Sequence, residues 1–96
     1  MMQSFRASKP IIRKGEDVRL GFALAEYLAN LGFKSYETAE GLRCAKSSGD
    51  EIRISYTDRT LAAYAFEIRI KGKRPEDYRQ ALESIFKEKG FDIIAS

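Results

Sequence analysis

The sequence predicts an α+β fold, a two-layer sandwich in which two helices cover one face of an antiparallel sheet. Three observations carry that prediction. Residues 42–71 alternate apolar and polar side chains with only tight turns between segments, the period of half-buried strands. Residues 15–31 and 75–89 instead space apolar residues three and four apart, the period of helices with one covered side. Along the chain the segments run strand, helix, four strands, helix.

The first segment, 2–12, is compatible with a strand. Phe5 and Ala7 alternate with Ser4, Arg6 and Ser8, Pro10 suits an edge or a strand end, and Ile11 and Ile12 return apolar surface to the core. The first helix, 15–31, has Gly15 as its cap, with Glu16 and Asp17 in the first turn, where the helix dipole favours negative charge. Its expected core stripe is Val18, Phe22, Ala25 and Ala29, widened by Leu24, Leu28 and Leu31, with Leu20 and Tyr27 at the margins. Gly32 suits the left-handed residue that ends a helix.

Residues 33–38 read as a strand with Lys34 and Tyr36 opposite Phe33 and Ser35, and 39–41 turn the chain into the meander. Within the meander Ile52, Ile54 and Tyr56 share one face, as do Tyr64, Phe66, Ile68 and Ile70. Glu51, Arg53, Ser55, Thr57, Ala63, Ala65, Glu67, Arg69 and Lys71 take the other. Pro75 opens the second helix, followed by Glu76 and Asp77 and by the stripe Tyr78, Ala81, Leu82, Ile85 and Phe86. Residues 91–95 fit either a short strand or one helical turn. With both helices on the face of Ile52, Ile54, Tyr64, Phe66 and Ile68, the opposite sheet face is left uncovered.

The 96 residues make a single domain, 1–96, and a composition of 44% hydrophobic and 32% charged residues is that of a globular chain rather than a disordered one. No apolar run has a membrane span's length, and 1–14 lack the apolar stretch of a signal peptide, so a cytoplasmic protein is expected. There is one cysteine and no histidine. That removes an internal disulfide, the commonest general base and the usual partner of a nucleophile. Cys44 shares strand parity with Leu42 and is expected to be a buried, unreactive thiol. The adjacent acid pairs Glu16/Asp17, Asp50/Glu51 and Glu76/Asp77 sit at helix starts and turns, where capping accounts for them. Neither an enzyme nor a metal or other cofactor is expected.

This layout resembles a small uncharacterised archaeal protein family with a fold like one half of the TATA-box-binding protein. The resemblance covers nearly the whole chain and rests on its length, the helix at 15–31, the meander and the helix at 75–89. It implies a curved five-stranded sheet in the order β-α-β-β-β-β-α, with helices on one face and a short C-terminal helix at 91–95. It also implies an anionic partner, with DNA favoured.

The charge pattern points the same way. Formal net charge is only +3, but Arg6, Lys9, Arg13 and Lys14 fall in 1–14 without an acid, and Lys71, Lys73 and Arg74 fall in 71–74 without an acid. These two segments would form one patch if the N-terminal strand lies beside the long strand. Lys71 to Arg74, at the mouth of the second helix, also fits a phosphate seat, although no P-loop spacing is present. The second candidate surface is the open sheet face. Arg53, Arg69 and Lys71 lie there by parity, joined by Arg43 if Leu42 and Cys44 point inward. Glu51 and Glu67 share that face, so a solvated surface stitched by ion pairs and a binding surface both fit the pattern. Tyr36 is its one candidate aromatic, and without a Phe or Leu wedge minor-groove kinking is not expected. The expected function is phosphate-driven, largely non-specific binding of nucleic acid or another polyanion. The alternative is a protein-interaction or assembly domain using the open face or a strand edge.

Overall fold

A computed structural model describes residues 2–10, 13, 15–59 and 64–95. The expectations for Ile11, Ile12, Lys14, the stretch 60–63 and the Asp17 side chain lie outside what is described. The chain forms β1 (Met2–Lys9), α1 (Glu16–Asn30), β2 (Lys34–Thr38), β3 (Gly41–Ala45), β4 (Glu51–Arg59), β5 (Tyr64–Lys71), α2 (Pro75–Glu88) and β6 (Asp92–Ala95). The six strands make one antiparallel sheet in the order β2-β3-β4-β5-β1-β6. No helix among the described residues is long and apolar enough to cross a membrane.

Alternation along the meander translates directly into faces. Ile52, Ile54, Phe66, Ile68 and Ile70 are buried beneath the helices, while Arg53, Arg69 and Lys71 are exposed on the other side. The hairpin between β2 and β3 depends on Gly41, where the backbone has φ 150° and a Cβ would run into the Ile54 carbonyl. Near the far end of β4 the register with β5 slips between Tyr56 and Asp58, so Thr57 is the additional residue of a β-bulge.

Three expectations are decided or changed. Residues 92–95 form a strand, one of the two readings their pattern allowed, rather than the helix that the resemblance implies, and the sheet has six strands rather than five. β6 pairs with β1 from Phe5↔Ala95 to Ser8↔Asp92, with Phe91 buried just before it. Without it the backbone groups along one side of β1 would be unpaired, and a single helical turn could not supply their partners. The core face of α1 also differs. Leu20, Leu24 and Leu28 are buried, whereas Val18 and Phe22 are 55% and 71% exposed and Ala29 is exposed. The helix carries two apolar rows on nearly opposite sides. It docks on the sheet through the leucine row, which offers more branched apolar surface at a steady four-residue spacing.

Under α2 the core is aromatic. Phe86 meets Phe5, Phe66 and Phe91 with ring centroids 6.1, 5.7 and 5.4 Å apart, linking α2 to β1, β5 and the start of β6.

Candidate nucleic-acid interface

The strand registers bring the outward residues into rows across the sheet. Tyr36 pairs with Arg43, Arg43 with Arg53, Arg53 with Arg69, and Arg69 with Ser4. Adjacent strands lie about 4.8 Å apart, so the three arginines start from backbone positions within about 10 Å of one another. One flanking row holds Lys34, Ala45, Glu51, Lys71 and Met2, and the other holds Thr38, Gly41, Ser55, Glu67, Arg6 and Ile94. No helix among the described residues covers this face.

Two carboxylates organise the guanidinium groups. Glu51 accepts from Arg53 Nε at 2.6 Å and lies 3.4 Å from Arg43 Nε. Glu67 accepts from Arg69 Nε at 2.8 Å and lies 3.9 Å from Arg6 Nη2. The arginine side chains remain 51–60% exposed while both glutamates are 23% exposed, so the acids sit low and the cations stand above them. The hydrogen bond from Arg53 holds Glu51 below the usual carboxylate range, with the Arg43 charge adding to it. At high dielectric such pairs contribute little to stability, and they bias the guanidinium groups toward positions beside the two carboxylates. Met2, Glu51, Arg53, Arg69 and Lys71 line a shallow depression of about 210 Å³.

The residues singled out by charge divide in two. Arg6, Arg53, Arg69 and Lys71 come together on the open face. Arg43 joins them, since Cys44 is fully buried and Leu42 packs against the core. Lys34 belongs there too, and its shared parity with Tyr36 was the signal that could have placed it. Lys9 does not belong there. It shares parity with the buried Phe5 and Ala7, and its Nζ donates to the Lys89 carbonyl at 2.9 Å and lies 3.2 Å from Glu16. It closes the C-terminal end of α2, where the helix dipole favours a cation.

The two acid-free segments each give the open face one residue, Arg6 and Lys71, but their other described cations do not merge into one patch. β1 does lie beside β5, but the antiparallel register puts Met2 opposite Lys71 and Lys9 opposite Tyr64. Lys9 is thus at the far end of β1 from Lys71, roughly 24 Å along the strand, and the Arg13 backbone N–H beyond it donates to Glu16. The exposed Lys73 and Arg74 stand at the start of α2, where the protein supplies its own anion. A Cβ at Gly72 would lie 2.6 Å from Asp50 Oδ1, and the same carboxylate accepts the Tyr78 hydroxyl at 2.7 Å. That negative charge opposes a phosphate seat at this helix mouth.

Cys44 is buried and its Sγ lies 3.3 Å from Ser35 Oγ; burial pushes the thiol up, as an unreactive cysteine requires. On the helix side of the sheet, α1 and β2–β4 enclose a groove of about 570 Å³. Val18, Phe22 and Leu42 line it, and its charged residue is Glu37. No protein-family model and no curated protein matches the chain.

Proposed function

We propose that this protein is a binding module for nucleic acid that holds the phosphate backbone on its open sheet face. The observation carrying the reading is the cross-strand row Arg43–Arg53–Arg69, set in place by Glu51 and Glu67 and flanked by Lys34, Lys71 and Arg6. Guanidinium groups match phosphate oxygens in a planar, forked geometry, and pre-orienting them lowers the ordering cost of binding. Affinity comes from these contacts and carries little sequence information. We also read the fold as that of one half of the TATA-box-binding protein. The order β2-β3-β4-β5-β1 with both helices on one side supports this, β6 standing where that family has a short helix.

Replacing Arg43, Arg53 and Arg69 together by Gln tests the reading. With about four phosphates contacted, wild-type affinity should fall with salt at a log–log slope of roughly −3 to −4, and the triple variant should flatten it by 2 to 3. An unchanged affinity and slope in a folded variant, measured by fluorescence anisotropy with labelled oligonucleotides, would remove the face from consideration.

A further inference from the structure

We infer that the nucleic acid this face takes is single-stranded, lying across the strands along the arginine row with a base stacked on Tyr36. The inference rests on the proposed role of the open face and narrows it to one ligand class.

The first argument is shape. Six strands about 4.8 Å apart make a face some 24 Å wide or more. The major groove of a duplex is about 12 Å wide and the minor groove about 6 Å, so this face enters neither. A sheet that straddles a duplex from the minor-groove side opens that groove with apolar wedges. Here the central positions are guanidinium groups, and the exposed apolar residues Met2 and Ile94 lie apart on β1 and β6.

The second argument is the layout of the charges. One row is cationic without interruption across three strands, Arg69 to Arg53 to Arg43, whereas the flanking rows interleave Lys34, Lys71 and Arg6 with Glu51 and Glu67. A single backbone fits a single track. A duplex brings two backbones, and the second would find no other uninterrupted cationic row among the described residues.

The third argument is the end of the track. The residue in register after Arg43 is Tyr36 on the edge strand β2, 55% exposed. Among the described residues it is the one aromatic exposed on this face. An exposed ring in line with arginines is the combination that captures unpaired bases, because every base has a face to stack while paired bases keep theirs inside the helix. Arginine planes beside it can stack on the next base.

The experiment compares fluorescein-labelled oligo(U), oligo(dT) and a mixed-sequence duplex, each about twelve units long, by anisotropy across a salt series. The proteins are wild type, Tyr36→Ala, Tyr36→Phe and the Arg53→Gln/Arg69→Gln pair. Both single strands should bind at least tenfold more tightly than the duplex. Tyr36→Ala should weaken single strands by roughly tenfold or more while leaving the salt slope unchanged, and Tyr36→Phe should retain wild-type binding. The arginine pair should flatten the slope. A duplex bound as well as a single strand, or Tyr36→Ala binding single strands like wild type, would overturn this inference; the proposed face would survive if the arginine pair still lost affinity. No binding by wild type, or none lost by the arginine pair, would overturn both. The two single strands differ in the 2′-hydroxyl, so a preference between them names the sugar.

Discussion

The two halves of the covered sheet face are packed very differently. Over β5, β1 and β6, α2 buries Phe86 against Phe5, Phe66 and Phe91, and Leu82 beside them is fully buried. Over β2 and β3 the cover is incomplete: all five residues of β2 are exposed, Phe22 and Val18 stand in solvent, and a groove of about 570 Å³ opens between helix and sheet. Widths explain the difference. Two helices packed side by side at 8–10 Å shield about 20 Å of sheet, whereas six strands need about 24 Å or more. The strand left least covered is β2, at the edge opposite β6.

The comparison can be broken by mutation. Phe86→Ala removes the ring at the centre of the dense half and should cost about 3–5 kcal/mol in a urea unfolding titration. That is a large part of the roughly 5–15 kcal/mol such a domain has. Phe22→Ala, the same chemical change on the other half, should stay within about 0.5 kcal/mol of wild type. A cost of 2 kcal/mol or more for Phe22→Ala would mean that the ring packs in solution and the halves are alike.

The smallest effect concerns the seam between the halves. Tyr78 of α2 donates to Asp50 in the β3–β4 turn and packs edge-on against Phe33, with centroids 5.4 Å apart. The hydrogen bond to Asp50, with burial, pushes its hydroxyl up to about 12. The folded value lies above the ordinary one of about 10. The stability it confers is therefore complete below that ordinary value and is lost as pH rises through about 12, with no contribution to pH dependence near neutrality. In an alkaline titration followed by phenolate absorbance, Tyr78→Phe should remove one late ionisation step, at about 12. Tyr27 is also raised, by burial first and by Asp77, and should remain in the variant. An unchanged profile in Tyr78→Phe would show the seam to be loose.

Strand faces were legible because parity is local. Ile52 and Ile54, or Arg53 and Glu51, declare their sides within a few residues, and the open-face arginines followed from that. The α1 docking face was not legible, because Val18–Phe22 and Leu20–Leu24–Leu28 are both valid helical rows. Only the sheet chooses between them. Four residues are too few to show a period, so β6 stayed ambiguous until its partner β1 was in view. The arrangement of the basic segments depended on the β1–β5 register, a long-range fact. Lys9 looked like a free cation because the carbonyl it caps lies 80 residues away in sequence.

The placement of β1 between β5 and β6 has a consequence for how the chain reaches its fold. β2 to β5 are joined by short connections and pair with sequence neighbours, so each hairpin closes a small loop. β1, at residues 2–9, pairs with 64–71 on one side and 92–95 on the other. Its contacts span most of the chain, and loop-closure entropy grows with the logarithm of that separation. The strand that joins β5 to β6 therefore raises the mean sequence distance of native contacts, the quantity that slows folding in domains of this size. The arginine row, Arg43 to Arg69, lies wholly within the locally connected meander and needs none of those distant pairings to be drawn up.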